Sequence, residues 1–117
     1  MLPSSVRIFV CTQPQDMRRS FDRLARTVRE LVGEDPQGGA MFVFVGKRAT
    51  RLKVLWWDRN GLCLLYKRLH GAIFELPRAL DGQTTSIRID AAALARLLAG
   101  VAKARRGGKV IRGSEMN

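Results

Sequence analysis

Four short β-type segments follow one another between residues 41 and 77, and they constrain the fold more than any other feature of the chain. They read MFVFVG, RLKVLWWD, LCLLYKRL and AIFELP, and each is rich in β-branched, aromatic or other apolar residues. The connecting segments GKRAT, DRNG and HG carry the glycine and polar residues typical of tight turns. Since short loops join antiparallel neighbours, the pattern predicts a meander of β-hairpins.

The hairpin formed by RLKVLWWD and LCLLYKRL determines which side chains share a face of the sheet. A two-residue loop, either Arg59–Asn60 or Asn60–Gly61, gives the same two sets because the registers differ by two residues. The first face then holds Leu52, Val54, Trp56, Cys63, Leu65 and Lys67. The second face holds Arg51, Lys53, Leu55, Trp57, Leu62, Leu64, Tyr66 and Arg68. A turn at His70–Gly71 would add Phe74 and Leu76 to the first face and Ile73 and Glu75 to the second. A three- or five-residue loop between the two long strands would scramble both sets.

Helical and strand patterns flank this meander. Residues 6–12 predict a first strand, and SIRI at 86–89 predicts a weaker one. Between Asp16 and Gly33 apolar residues recur every three or four positions, which predicts an amphipathic helix with Asp16 as its N-cap and Gly33 at its end. Asp90 is placed to cap a second helix, AAALARLLAGV.

These patterns together predict an α+β fold in one domain over residues 1–102. A length of 117 residues with 46% hydrophobic composition fits a single core. We expect an antiparallel meander sheet of about five to six strands, with helix 16–32 on the more apolar first face and a helix near the C-terminus. Residues 103–117 are basic, contain glycine and lack periodicity, so they predict a flexible tail.

The charge balance favours an anionic partner. Lys and Arg number 21 against 10 Asp and Glu, a formal net charge of +11, and an anion relieves the self-repulsion of such an excess. The chain has no long apolar run and no signal-peptide pattern, so we expect a cytoplasmic protein that binds nucleic acid rather than a membrane. Cys11 and Cys63 lack CxxC spacing and the single His70 is typical of a turn, so we expect neither a metal nor a cofactor.

The second face combines cations with aromatic side chains, a combination that holds phosphates and stacks bases. The predicted nucleic-acid-binding residues come from this face, from the first helix and from the GKRAT turn: Arg18, Arg19, Arg23, Lys47, Arg48, Arg51, Lys53, Trp57, Tyr66 and Arg68. The same composition also suits a partly covered second core layer with Lys and Arg at its rim. Both interpretations stay open at this level.

Catalysis finds little support in the sequence. A two-metal nuclease needs converging carboxylates, whereas Asp16, Asp22 and Asp58 are typical of a helix cap, a partner of helix arginines and a turn residue. No P-loop motif is present. We therefore expect no catalytic residues and keep a metal-dependent nuclease as the remotest alternative.

Four segments resemble a known protein family. DMRRSFDRLA at 16–25, MFVFVGKR at 41–48, LKVLWWDRNGLCLLYKRL at 52–69 and the AIFELP run after it are similar to the TnpB accessory proteins of the IS66 family of bacterial insertion sequences, which are unrelated to the RNA-guided nuclease of the same name. The resemblance covers roughly residues 4–100. It implies a protein that is encoded beside a larger transposase and needed for efficient transposition. Many members have Glu where His70 stands here.

Two modes of action are compatible with such a role. In the first, the cations contact phosphates at the DNA ends of the element, which adds affinity with little sequence information. In the second, the second face docks on the transposase, or on another copy of the chain, with Trp57, Tyr66 and Leu62 as anchors.

Overall fold

The structure is a computed structural model, and it describes residues 5–103. In chain order the elements are β1 (Ile8–Cys11), α1 (Phe21–Thr27), a π-helical extension of α1 (Val28–Val32), β2 (Met41–Val45), β3 (Arg51–Asp58), β4 (Gly61–Arg68), β5 (Ala72–Ile73), β6 (Ser86–Ile89), α2 (Ala91–Ala99) and β7 (Val101–Ala102). They form one α+β domain around a mostly antiparallel sheet, which confirms the predicted fold class. The predicted tail lies outside the described residues except for Lys103.

The central part of the predicted meander is confirmed. β2, β3 and β4 pair in antiparallel order, and Asp58 lies opposite Gly61, so the β3–β4 loop is the two-residue Arg59–Asn60 connection. The cross-strand partners Leu52 with Lys67 and Lys53 with Tyr66 then fall on opposite sides of the sheet. The first and second faces therefore have the predicted membership.

The strand order differs from a continuous meander in two places. The sheet has the order β4-β3-β2-β1-β6, with β1 parallel to β2 and antiparallel to β6. The parallel pairing is possible because the chain between β1 and β2 crosses over through α1. β5 does not extend the sheet beside β4 but pairs with β7, so the expected β4–β5 hairpin at His70–Gly71 is wrong.

Close packing at Gly100 accompanies this second pairing. A Cβ at position 100 would lie 2.5 Å from Leu69 Cδ1 and 2.9 Å from the Ile73 carbonyl oxygen. Only glycine allows the chain to pass so near to its neighbours. Helix α2 therefore ends at Ala99, and Val101, which the sequence placed in the helix, belongs to β7 instead.

Helices cover both faces of the sheet, but not in the predicted arrangement. On the first face, Leu52 and Val54 pack with Phe74 and with Leu94 and Leu97 of α2. On the second face, Leu55, Leu62 and Leu64 pack in one cluster with Leu24 of α1 and Val28 of its π-helical extension. The expectation that the first helix covers the first face is wrong, because the apolar half of the second face also forms a core layer. The interpretation of the second face as a second core layer is supported over that part of its length.

The first helix begins later than predicted. The Asp16 carboxylate accepts the backbone N–H of Arg18 at 2.9 Å, which closes a turn before the helix rather than capping it. Ser20 has extended dihedral angles at the N-cap position, so α1 starts at Phe21. The predicted end at Gly33 is confirmed by its left-handed φ of 74°.

The second helix has the predicted N-cap. The Asp90 carboxylate accepts the backbone N–H of Ala93 at 2.8 Å. Neither helix within residues 5–103 has the length and apolar character needed to cross a membrane.

Candidate nucleic-acid interface

The strand topology gathers three predicted cationic segments at one end of the sheet. At this end lie the carboxyl ends of β1, β2 and β4 and the start of β3. The strands are arranged in this way because β1 and β2 are parallel, whereas β3 is antiparallel to β2 and β4 is antiparallel to β3. This end therefore carries the loop that follows β1, the β2–β3 turn, and the pair formed by Arg51 at the start of β3 and Arg68 at the end of β4.

Gln15, Met17 and Gly46 join the first two of these segments. The backbone N–H of Gln15 donates to the Val45 carbonyl at 2.9 Å, which forms an isolated parallel bridge beside Gly46. A Cβ at position 46 would lie 2.7 Å from Met17 Cγ, so the absence of a side chain at Gly46 lets the methionine approach. The loop that carries Arg18 is thus held against the β2–β3 turn.

The β2–β3 turn presents Lys47 and Arg48 at its tip. Its Ala49 N–H donates to the Gly46 carbonyl at 2.9 Å, and Ala49 has a left-handed φ of 60°. The Ala49 carbonyl accepts the N–H of Phe74 at 2.6 Å, so the chain after β4 anchors the turn. Both Lys47 and Arg48 are exposed.

Arg51 and Arg68 lie directly opposite each other on β3 and β4, and both are exposed. Like charges at opposed positions of a sheet destabilise it. The ion pairs found within residues 5–103 are Arg7 with Glu34 and Arg18 with Asp16. No carboxylate of the described chain therefore neutralises the two guanidinium groups.

Together these segments line an open cleft of about 790 Å³, which we call the basic cleft. Its lining residues are Gln15, Asp16, Met17, Arg18, Gly46, Lys47, Arg48, Thr50, Arg51, Arg68, Leu69 and His70. Five of the ten predicted binding residues are among them: Arg18, Lys47, Arg48, Arg51 and Arg68. Sequence reasoning missed the organising roles of Gln15, Met17 and Gly46 and the position of His70, because none of them carries a local signal for a cleft.

Among the described residues that line the cleft, Asp16 is the one acidic residue, and its carboxylate is bound by Arg18. The Arg18 guanidinium donates to both carboxylate oxygens, at 2.7 Å for Nη2 to Oδ2 and 3.0 Å for Nε to Oδ1. The side-chain bonds first, and the backbone N–H of Arg18 second, hold the pKa of Asp16 well below its ordinary value. Asp16 therefore stays ionised and pairs with Arg18, which leaves Lys47, Arg48, Arg51 and Arg68 as the excess positive charge of the cleft.

Lys53 and Arg19 make contacts inside the protein. Lys53 is only 5% exposed, and its Nζ donates to the Arg19 carbonyl at 2.6 Å. The Arg19 guanidinium donates to Gln15 Oε1 at 2.9 Å, and so it fixes the loop below the basic cleft. Lys53 is therefore buried and Arg19 half-buried, and neither residue is among those that line the basic cleft.

Three other predicted residues lie outside the lining of the basic cleft. Arg23 is exposed on α1. Trp57 is six residues from Arg51 along β3, a separation of about 20 Å at the usual rise per residue. Tyr66 is 50% exposed and precedes Arg68 by two positions on the same face of β4, so it borders the cleft.

The three candidate carboxylates of the nuclease alternative are dispersed. Asp16 lines the basic cleft, Asp22 is exposed on α1, and Asp58 ends β3 at the opposite end of the sheet, roughly 20 Å away. Within residues 5–103 no group of three His, Cys, Asp or Glu side chains could hold a metal ion. Two-metal catalysis needs carboxylates that surround ions about 4 Å apart, which these three do not do.

A second cavity, of about 480 Å³, lies beside α2. In the part of the chain that the structure describes, Glu75 and Arg96 are the charged residues that line it, and the others are apolar residues and glycine. Because its two charges are opposite in sign, it lacks the excess positive charge that distinguishes the basic cleft.

Comparison with known proteins gives the family. The family model described as "IS66 Orf2 like protein" matches residues 6–107. The uncharacterized protein y4hO of Sinorhizobium fredii is 42% identical over 103 residues, which cover 86% of this chain and 87% of the relative. The uncharacterized protein y4jC of the same organism is 40% identical over 77 residues, 66% of each chain. No solved structure matches significantly. The chain therefore belongs to the IS66 Orf2-like family, and this membership supports an accessory role in the transposition of an insertion sequence.

Proposed function

We propose that the protein assists transposition by binding the phosphate backbone of DNA in the basic cleft, at the ends of the insertion sequence, without performing chemistry itself. The observation that carries the proposal is the convergence of five cationic side chains on one cleft, where the single lining carboxylate found among residues 5–103 is already bound to Arg18. Cations that converge in this way attract polyanions and release their counterions on binding.

The opposed pair Arg51 and Arg68 supports phosphate as the ligand. Two guanidinium groups at opposite positions repel each other in the free protein. A phosphate between them would replace the repulsion with charge-assisted hydrogen bonds, for which the planar guanidinium is well suited. Backbone contacts of this kind position a protein on DNA but do not read its sequence.

The alternative of an adaptor that docks through the second face has lost part of its predicted surface. Leu62 and Leu64 pack against the cluster that contains Leu24 and Val28, so α1 already covers the apolar part of that face. Trp57 and Tyr66 remain at its two ends. The geometry therefore favours nucleic acid over a protein partner at this face.

A salt-dependent DNA titration with charge-matched variants tests the proposal. The double variant Arg51→Gln, Arg68→Gln removes two cleft charges, and Arg78→Gln, Arg88→Gln removes two exposed charges that do not line the cleft. Each phosphate contact contributes about 0.9 to the slope of log affinity against log salt. On duplex DNA the cleft variant should therefore lose about 1.8 from the slope, which amounts to roughly 60-fold in affinity at about 0.1 M salt if the affinities are equal at about 1 M.

The control variant should retain a slope and affinity close to those of the unmodified protein. Equal losses in the two variants would mean that charge acts diffusely over the whole surface and would contradict a binding cleft. Absence of binding at low salt would contradict the proposal altogether.

A further inference from the structure

We infer that Tyr66 forms a stacking site for an unpaired nucleobase at the edge of the basic cleft, so that the protein prefers single-stranded DNA to duplex DNA. This inference rests on the proposed phosphate contacts and adds the form of DNA that the cleft accepts. The juxtaposition that carries it is a half-exposed, fixed aromatic ring beside two guanidinium groups that have no carboxylate partner in the described chain.

The Tyr66 ring is held in place by a buried cation. Lys53 Nζ lies 4.6 Å from the ring centroid, within the range of a cation–π contact. The same ammonium donates to the Arg19 carbonyl at 2.6 Å, and Lys53 is buried, so it has little freedom to move away. Lys53 thereby contacts one side of the ring, while half of the Tyr66 side chain remains exposed to solvent.

The register of the hairpin sets this ring close to the phosphate-binding pair. Tyr66 and Lys53 are cross-strand partners, and Arg68 and Arg51 are the next pair on the same face. Side chains two residues apart along a strand are separated by about 7 Å. Successive phosphates of a single strand are spaced by a similar distance, so a strand bound by Arg51 and Arg68 can set a neighbouring base on Tyr66.

The chemistry of stacking distinguishes single-stranded from duplex DNA. In a duplex each internal base is already covered on both sides by its neighbours, so an aromatic side chain gains no free base surface. Single strands expose base faces, and aromatic platforms beside a positively charged groove are the usual way in which proteins bind them. The contribution of one stacked base is sequence-tolerant because every base has such a face.

Binding to a labelled oligothymidylate of about 12 nucleotides, and to a blunt-ended duplex of the same length, tests the inference by fluorescence anisotropy. Tyr66→Leu removes the ring but retains apolar bulk, whereas Tyr66→Phe retains the ring. Tyr66→Leu should weaken single-strand binding roughly 5- to 150-fold, as expected for loss of one stacked base. Tyr66→Phe should bind like the unmodified protein, and neither variant should change duplex affinity. Thermal unfolding of each variant checks that the fold is intact.

The outcomes separate this inference from the proposed function. If Tyr66→Leu is folded and leaves single-strand affinity unchanged, or weakens both DNA forms equally, stacking is wrong while the phosphate cleft stands. If Arg51→Gln, Arg68→Gln leaves both affinities unchanged, the cleft itself is wrong. If Tyr66→Leu unfolds the domain, two other results test the inference. Tyr66→Phe should bind like the unmodified protein, and the unmodified protein should prefer the single strand to the duplex. A preference for duplex in the unmodified protein overturns the inference.

Discussion

Replacement of Gly46 by alanine should disrupt the contact that joins the loop after β1 to the β2–β3 turn. The new Cβ would lie 2.7 Å from Met17 Cγ, whereas non-bonded carbon atoms rest about 3.5–4.0 Å apart. The methionine, or the backbone that carries it, must therefore move by roughly 1 Å. Overpacking of this kind costs about 1–3 kcal/mol, and for a domain of this size about 2 kcal/mol corresponds to a decrease in Tm of roughly 10 °C.

A double-mutant cycle identifies the source of this loss. Gly46→Ala, Met17→Ala and the combined variant are compared by urea unfolding. Because Met17→Ala removes the atom that the new Cβ would strike, the combined variant should be more stable than the sum of the single effects by at least about 1 kcal/mol. Gly46→Ala should also weaken DNA binding, since Arg18 follows Met17 in the same loop, and Met17→Ala should restore part of it. Additive free energies would refute the proposed contact.

Four further predictions concern other parts of the chain. Asp90→Ala should lower the free energy of unfolding, measured in urea, by about 1 kcal/mol because the α2 N-cap is lost. Asp90→Asn should retain most of the stabilisation that the cap provides. Arg59→Gly should raise the free energy of unfolding by up to about 1 kcal/mol, because Arg59 has a left-handed φ of 52°. A decrease would contradict backbone strain at this position. Hydrogen bonds from Thr84 lower the pKa of Asp81 from 3.8 to about 2, so its carboxylate stabilises the fold above about pH 4 and this contribution is lost as the pH falls through 2. Asp81→Asn should accordingly flatten the dependence of Tm on pH in that window, and an unchanged acid limb would exclude this role. A chain that ends at Lys103 keeps the hydrogen bond from the Lys103 N–H to the Gly71 carbonyl, so it should unfold at the same temperature. It should bind DNA more weakly and with a shallower salt slope, because four basic residues are removed. An equal slope would confine binding to residues 5–103.

The sequence predicts the β3–β4 hairpin because its determinants are local. The Arg59–Asn60 loop and the alternation along two eight-residue strands fix the register without reference to the rest of the chain. The same holds for the Asp90 cap and the Gly33 helix end, which depend on residues a few positions apart. The pairing of Arg51 with Arg68, at the centre of the candidate site, follows directly from this register.

Features that depend on distant contacts could not be predicted in this way. The insertion of β1 between β2 and β6 depends on a crossover and on burial of both sides of the sheet, and the departure of β5 depends on close packing at Gly100. Lys53 follows the polar pattern of a surface position, yet the Arg19 carbonyl and the Tyr66 ring provide partners that permit its burial. Half of the predicted binding residues therefore line the basic cleft, and the others support or border it or lie elsewhere.

The central claim, that DNA occupies the basic cleft, is tested most directly by amide chemical-shift mapping of the isotopically labelled protein during titration with a short DNA. The basic-cleft account predicts that the largest shifts fall on residues 15–18, 46–51 and 66–70, which converge at one end of the sheet. The exposed Arg78 and Arg88, outside the cleft, should shift little. Shifts concentrated on α2 and β6, or spread evenly over every exposed cation, would contradict the account.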